Sequence, residues 1–65
     1  MFGKLFRQER EKRGLTRKQV AEKMGVTKVA IYYWENEQRE ISLKNADELA
    51  KALGIELKIG GRYES

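Results

Sequence analysis

Residues 16–37, TRKQVAEKMGVTKVAIYYWENE, carry two helix-start signals in quick succession. Thr16 is an N-cap, Gln19 stands three places on to close a capping box, and Leu15 and Val20 are spaced as a hydrophobic staple. The pattern then recurs, with Val26 before the cap residue Thr27 and Ile31 four positions beyond it. Gly25 stops the first of the two helices, whose inward stripe is Val20, Ala21 and Met24. Helices joined by so short a connection cannot lie side by side as a long antiparallel pair, so they must cross steeply.

Working outward, Phe2, Leu5, Phe6, Glu9, Arg10 and Arg13 share one helical stripe, and Gly14 closes it behind Lys12 and Arg13. A first helix is therefore expected over residues 2–13. Downstream, residues 37–40 are polar and aperiodic and read as a loop. Ser42 caps a fourth helix with Leu43, Ala46, Leu49, Ala50 and Leu53 on one face, and Gly54 ends it. In the tail, Ile55, Leu57 and Ile59 alternate with Glu56 and Lys58, the period of a short strand, which would need a partner. That partner is either the same chain or a second copy. The chain thus divides into a helical domain, 1–54, and a C-terminal strand or tail, 55–65, a candidate dimerisation element.

Composition narrows what such a domain does. The 65 residues contain neither Cys nor His, so disulfides, thiolate or imidazole metal sites and the common proton shuttles are missing. No enzyme, cofactor, metal or small-molecule ligand is expected. No apolar run approaches the roughly 18 residues that span a bilayer, so a soluble, cytoplasmic chain without membrane contact is expected. The formal net charge is +4, and it is unevenly spread: residues 1–44 hold 11 basic and 6 acidic side chains, while residues 45–65 hold 3 and 4. A polyanion would meet the first two-thirds.

A helical wheel over the third helix puts Ala30, Ile31 and Trp34 on one side and Lys28, Val29, Tyr32, Tyr33 and Asn36 on the other. The first set is core chemistry. The second has donors for guanine O6 and N7 in Lys28, a methyl surface for thymine in Val29, and hydroxyl and amide groups for base edges or phosphates. Lys28 and Arg17 also stand near helix starts, where the dipole disfavours a cation. An external anion would offset that misplacement.

The order Leu15-Thr16, Val20-Ala21, Gly25-Val26-Thr27, Ile31, Trp34-Glu35-Asn36, Leu49-Ala50 and Ala52-Leu53-Gly54 resembles the lambda-type repressor and Cro helix-turn-helix family over residues 2–54. The resemblance implies an all-α domain of four to five helices, here with the option of a short C-terminal β-strand. It implies a dimeric, phage- or bacteria-type transcriptional regulator, a repressor in the first instance, that binds double-stranded operator DNA with its third helix in the major groove. Carried over by position, it sets Thr27, Lys28, Val29, Tyr32 and Tyr33 toward the bases and Arg17, Asn36, Arg39 and Lys44 toward phosphates. It also implies an ion pair between Arg10 and Glu35, tying the first helix to the third. Two positions depart from the family: Arg17 stands where Gln is common, and Glu37 where Gly is usual. Asn36 is then the residue suited to take up a left-handed conformation at that turn. Dimerisation is expected, with Ile55, Leu57 and Ile59 as one route. The competing reading is an antitoxin or adaptor that uses the Tyr32/Tyr33 face or the tail to bind a protein.

Overall fold

The computed structural model describes residues 2–55, and these form four helices: α1 (Gly3–Lys12), α2 (Arg17–Met24), α3 (Lys28–Glu35) and α4 (Leu43–Leu53). The first helix is one residue shorter at each end than its stripe predicts, because Phe2 and Arg13 are its caps. Leu57 and Ile59, and with them the tail strand, lie outside the described residues.

Local chemistry sets the helix boundaries. At α2, the Thr16 hydroxyl accepts from the Gln19 amide at 3.0 Å while the Gln19 side chain accepts from the Thr16 amide at 2.8 Å, so both halves of the capping box are made. Thr27 and Ser42 cap α3 and α4 by accepting from Ala30 and Asn45, each at 3.1 Å. Gly25 closes α2 at φ 74°, and its amide and that of Val26 both return to the Ala21 carbonyl. A side chain there would meet the Cβ penalty of the left-handed region, and this closure is what lets α3 begin at Lys28.

Every helix contributes to one core. Phe6 from α1, Val20 and Ala21 from α2, Ile31 from α3, and Ala46, Leu49, Ala50 and Leu53 from α4 are buried. Phe2, Leu15, Met24, Val26, Trp34 and Ile41 pack around them, half-buried. Phe2 and Phe6 stack obliquely with centroids 6.0 Å apart. Two apolar members of the expected stripes are exposed, outside the core. Leu5 is exposed, and Leu43, the first residue of α4, is exposed because the apolar face of α4 there runs past the end of the core.

Helix α1 is seated end-on against α3. A Cβ at Gly3 would lie 2.6 Å from the carbonyl oxygens of both Trp34 and Glu35, so only glycine permits this approach. The arrangement brings the positive end of one helix dipole to the negative end of another. The exit from α3 differs from expectation. Asn36 keeps a negative φ of −92°, and Glu37 itself takes the left-handed conformation, φ 57°. The Gln38 amide then reaches back to the Tyr33 carbonyl at 2.9 Å, which closes the helix as a glycine would. The left-handed site falls at Glu37 because that is the position whose neighbour can make this bond; the identity of the residue follows the geometry, not the reverse.

Candidate nucleic-acid interface

The start of α2 and the outer face of α3 enclose a shallow cleft of about 560 Å³. Its walls are the cations Arg17, Lys18 and Lys28 and the apolar surfaces of Leu15, Val29 and Tyr32. Val29 is 49% and Tyr32 44% exposed, although α3 is only eight residues long and must bury Ile31. A short helix thus turns two large side chains to solvent beside the cations of the cleft.

The expected base-facing residues occupy this face in graded fashion. Lys28, Val29 and Tyr32 are exposed, and Thr27 is exposed with its hydroxyl engaged as the α3 cap. Tyr33 is half-buried: it meets Tyr32 edge-on with centroids 5.8 Å apart, and the Arg39 guanidinium lies 4.9 Å from its ring centre. Asn36 is exposed, and its side-chain amide donates to the Tyr32 carbonyl at 2.9 Å. That bond completes the last turn of α3 and orients the amide. Arg39 is exposed in the loop after α3. Lys44 is exposed in the first turn of α4 and does not line the cleft.

Behind the face sits a charged cluster. Arg10 Nε donates to Glu35 Oε2 at 2.6 Å and Arg10 Nη2 to Glu35 Oε1 at 3.2 Å, while Arg10 Nη1 donates to the Leu15 carbonyl at 2.8 Å. Both side chains are buried. This bidentate pair ties α1 to α3 and, through Leu15, to the entry of α2. A second cation joins it: Arg17 Nε donates to Glu35 Oε1 at 3.0 Å, and the Arg17 guanidinium carbon stands 5.2 Å from the centre of the Tyr32 ring. Among the described residues no buried side-chain nitrogen or oxygen is left without a hydrogen bond.

Sequence reasoning did not find two features of the site. Lys18 lines the cleft beside Arg17, and its place directly after a cationic helix start was the available signal. The tie between Arg17 and Glu35 spans 18 positions and follows no helical period, so only the crossing of α2 over α3 reveals it.

Fold and face together define a helix-turn-helix domain of the DNA-binding kind. The family model described as Helix-turn-helix matches residues 6–59, and the chain belongs to that family, the Cro/C1-type helix-turn-helix domains. It is a family of DNA-binding regulators and not of enzymes. No curated protein and no solved structure gives a match. Among the described residues, no helix is long and apolar enough to cross a membrane.

Proposed function

We propose that the domain is a sequence-specific repressor that binds a palindromic operator as a homodimer, with α3 in the major groove. The observation that carries this reading is the exposed Val29 and Tyr32 on an eight-residue helix, flanked by the cations of the cleft. In this arrangement Thr27, Lys28, Val29, Tyr32 and Tyr33 face base edges, and Arg17, Asn36, Arg39 and Lys44 face phosphates. One such helix reads only a few base pairs, so two copies reading half-sites roughly 34 Å apart supply the specificity a repressor needs. Ile55, Leu57 and Ile59 are the proposed dimer contact. Repression then follows from occlusion: a bound dimer covers the promoter.

Selection from a random duplex pool with the purified protein tests this reading. The expected product is a two-fold symmetric consensus. Affinity for it should fall with salt at a log–log slope of about −0.9 per neutralised phosphate, with about four contacts per subunit. The double substitution Lys28→Ala, Tyr33→Ala should abolish binding with helix content intact. A flat salt response, or a pool in which no sequence is enriched, refutes it. The exposed pair Val29 and Tyr32 equally suits a protein-binding patch, so loss of a protein partner in that double variant, without loss of DNA binding, would favour an antitoxin or adaptor role.

A further inference from the structure

We infer that Arg17 is a positioning residue for Tyr32, through which the buried Glu35 carboxylate fixes the ring presented at the recognition face; the inference rests on the DNA-binding reading above. Glu35 is an immobile anchor. Its side chain is 1% exposed, Arg10 holds it at both oxygens, and Arg10 is itself fastened to the Leu15 carbonyl. Arg17 takes its position from that anchor through the Nε bond of 3.0 Å to Oε1. Its guanidinium then lies 5.2 Å from the centre of the Tyr32 ring.

A phosphate contact alone does not account for this arrangement. A point charge at a helix start would need no carboxylate partner on another helix, and a lysine would serve as well. The observed geometry uses what arginine alone offers: a lateral donor on Nε, a planar cation beside an aromatic ring, and two further nitrogens that can still meet a phosphate. Tyr32 is the beneficiary, because it is exposed and its ring has solvent to turn into when the cation is withdrawn. The order imposed on it passes along the face, since its ring meets Tyr33 edge-on and Tyr33 is held in turn by Arg39. Preorganising the ring favours the sequence it fits and adds nothing on sequences it does not fit. Arg17 therefore acts on specificity as well as on charge.

The experiment uses the operator obtained by selection and a duplex of scrambled sequence, with dissociation constants measured across a salt series for wild type, Arg17→Lys, Arg17→Gln, Tyr32→Leu and the combination of Arg17→Lys with Tyr32→Leu. Circular dichroism confirms folding, which Arg10 continues to secure by its own bonds to Glu35. Arg17→Lys, which keeps the charge, should keep the salt slope and lower affinity for the operator more than for scrambled DNA, reducing the operator-to-scrambled ratio about three- to tenfold, the range of a cation–π contact. Arg17→Gln should lower the ratio similarly and also flatten the slope by about 0.9. In the Tyr32→Leu background Arg17→Lys should have no further effect on the ratio. In the free protein, the Tyr32 ring proton resonances should shift in Arg17→Lys. A ratio unchanged in Arg17→Lys, a loss equal on both duplexes, or an effect that survives in Tyr32→Leu overturns the positioning role alone. If no sequence is enriched, the DNA-binding reading falls, and this role with it.

Discussion

Replacing Arg10 by Met removes the cation that makes both oxygens of Glu35 acceptors of a bidentate pair, and with it the donor to the Leu15 carbonyl. Removing one member of a buried ion pair costs about 3 to 5 kcal/mol, because the other charge is left in a site that water cannot reach. Here the lower end applies. Arg17 remains 3.0 Å from Oε1, so the carboxylate keeps one of its three hydrogen bonds and a cation beside it. A loss of about 3 kcal/mol is comparable to the whole stability of a domain this small, and lowers Tm by roughly 12 to 24 °C. Urea unfolding followed by the fluorescence of Trp34, which is half-buried beside Glu35 in sequence, measures it. The companion variant Arg10→Met, Glu35→Leu removes both charges of the pair and leaves Arg17, already one-third exposed, to hydrate. It should be more stable than Arg10→Met alone. Operator affinity of the folded fraction should change little in Arg10→Met, since Arg10, although it borders the cleft, has its guanidinium nitrogens engaged by Glu35 and the Leu15 carbonyl. A cost below about 1 kcal/mol, or a double variant less stable than the single one, would refute the claim that Glu35 depends on Arg10.

Gly3→Ala should destabilise the domain by about 1 to 3 kcal/mol in the same urea assay, since its Cβ meets two backbone carbonyl oxygens that cannot rotate away; a change under about 0.5 kcal/mol would show that α1 slides freely over the end of α3. Thr16→Ala should cost about 1 kcal/mol by opening the capping box of α2, and a neutral result would mean that this box contributes nothing measurable. Glu9 supplies a pH dependence. The hydrogen bond from Arg13, aided by the charge of Lys12 and against partial burial, holds its carboxyl below the ordinary range. A folded value lower than the unfolded one means that stability is present above the unfolded pKa and is lost as pH falls through the folded value. The Tm difference between wild type and Glu9→Gln should accordingly shrink on acidification from neutrality through the carboxylate range, and a difference that grows would reverse the assignment.

What could be read in the sequence was whatever the chain encodes locally. The caps Thr16, Thr27 and Ser42, the stop at Gly25 and the inward residues Val20, Ile31, Leu49 and Leu53 all act within one or two helical turns, so spacing alone located them. Leu43 and Leu5 fit the same periods and are exposed, because periodicity gives the direction of a side chain and not how far the opposing surface extends. Intrinsic preference points to Asn36 as the left-handed residue after α3; the backbone bond from Gln38 to Tyr33 requires that residue one place later, at Glu37, at a cost of about 1 to 2 kcal/mol for a glutamate. At the candidate site, the outward residues of α3 were legible from the wheel. The link from Arg17 to Glu35 was not, since it depends on the crossing of two helices.

That link bears on how an eight-residue helix can serve as the reading element proposed above. A helix of this length is marginal by itself, and α3 commits much of its outer surface to apolar side chains that gain nothing from folding. Its stability must come from neighbours, and these act at both of its ends and on its inner side. Thr27 caps the start, the α1 terminus abuts the last carbonyls at Gly3, and Ile31 enters the common core. Glu35, in the last turn, receives Arg10 from α1 and Arg17 from α2, so that three helices converge on one carboxylate. Because these supports lie behind the outer surface, Lys28, Val29 and Tyr32 are left unencumbered by folding. Substitutions at those three positions should alter which sequence is bound with little change in Tm, whereas substitutions at Gly3, Arg10 or Glu35 should do the reverse. Arg17 belongs to both sets, since it touches both the buried carboxylate and the exposed ring.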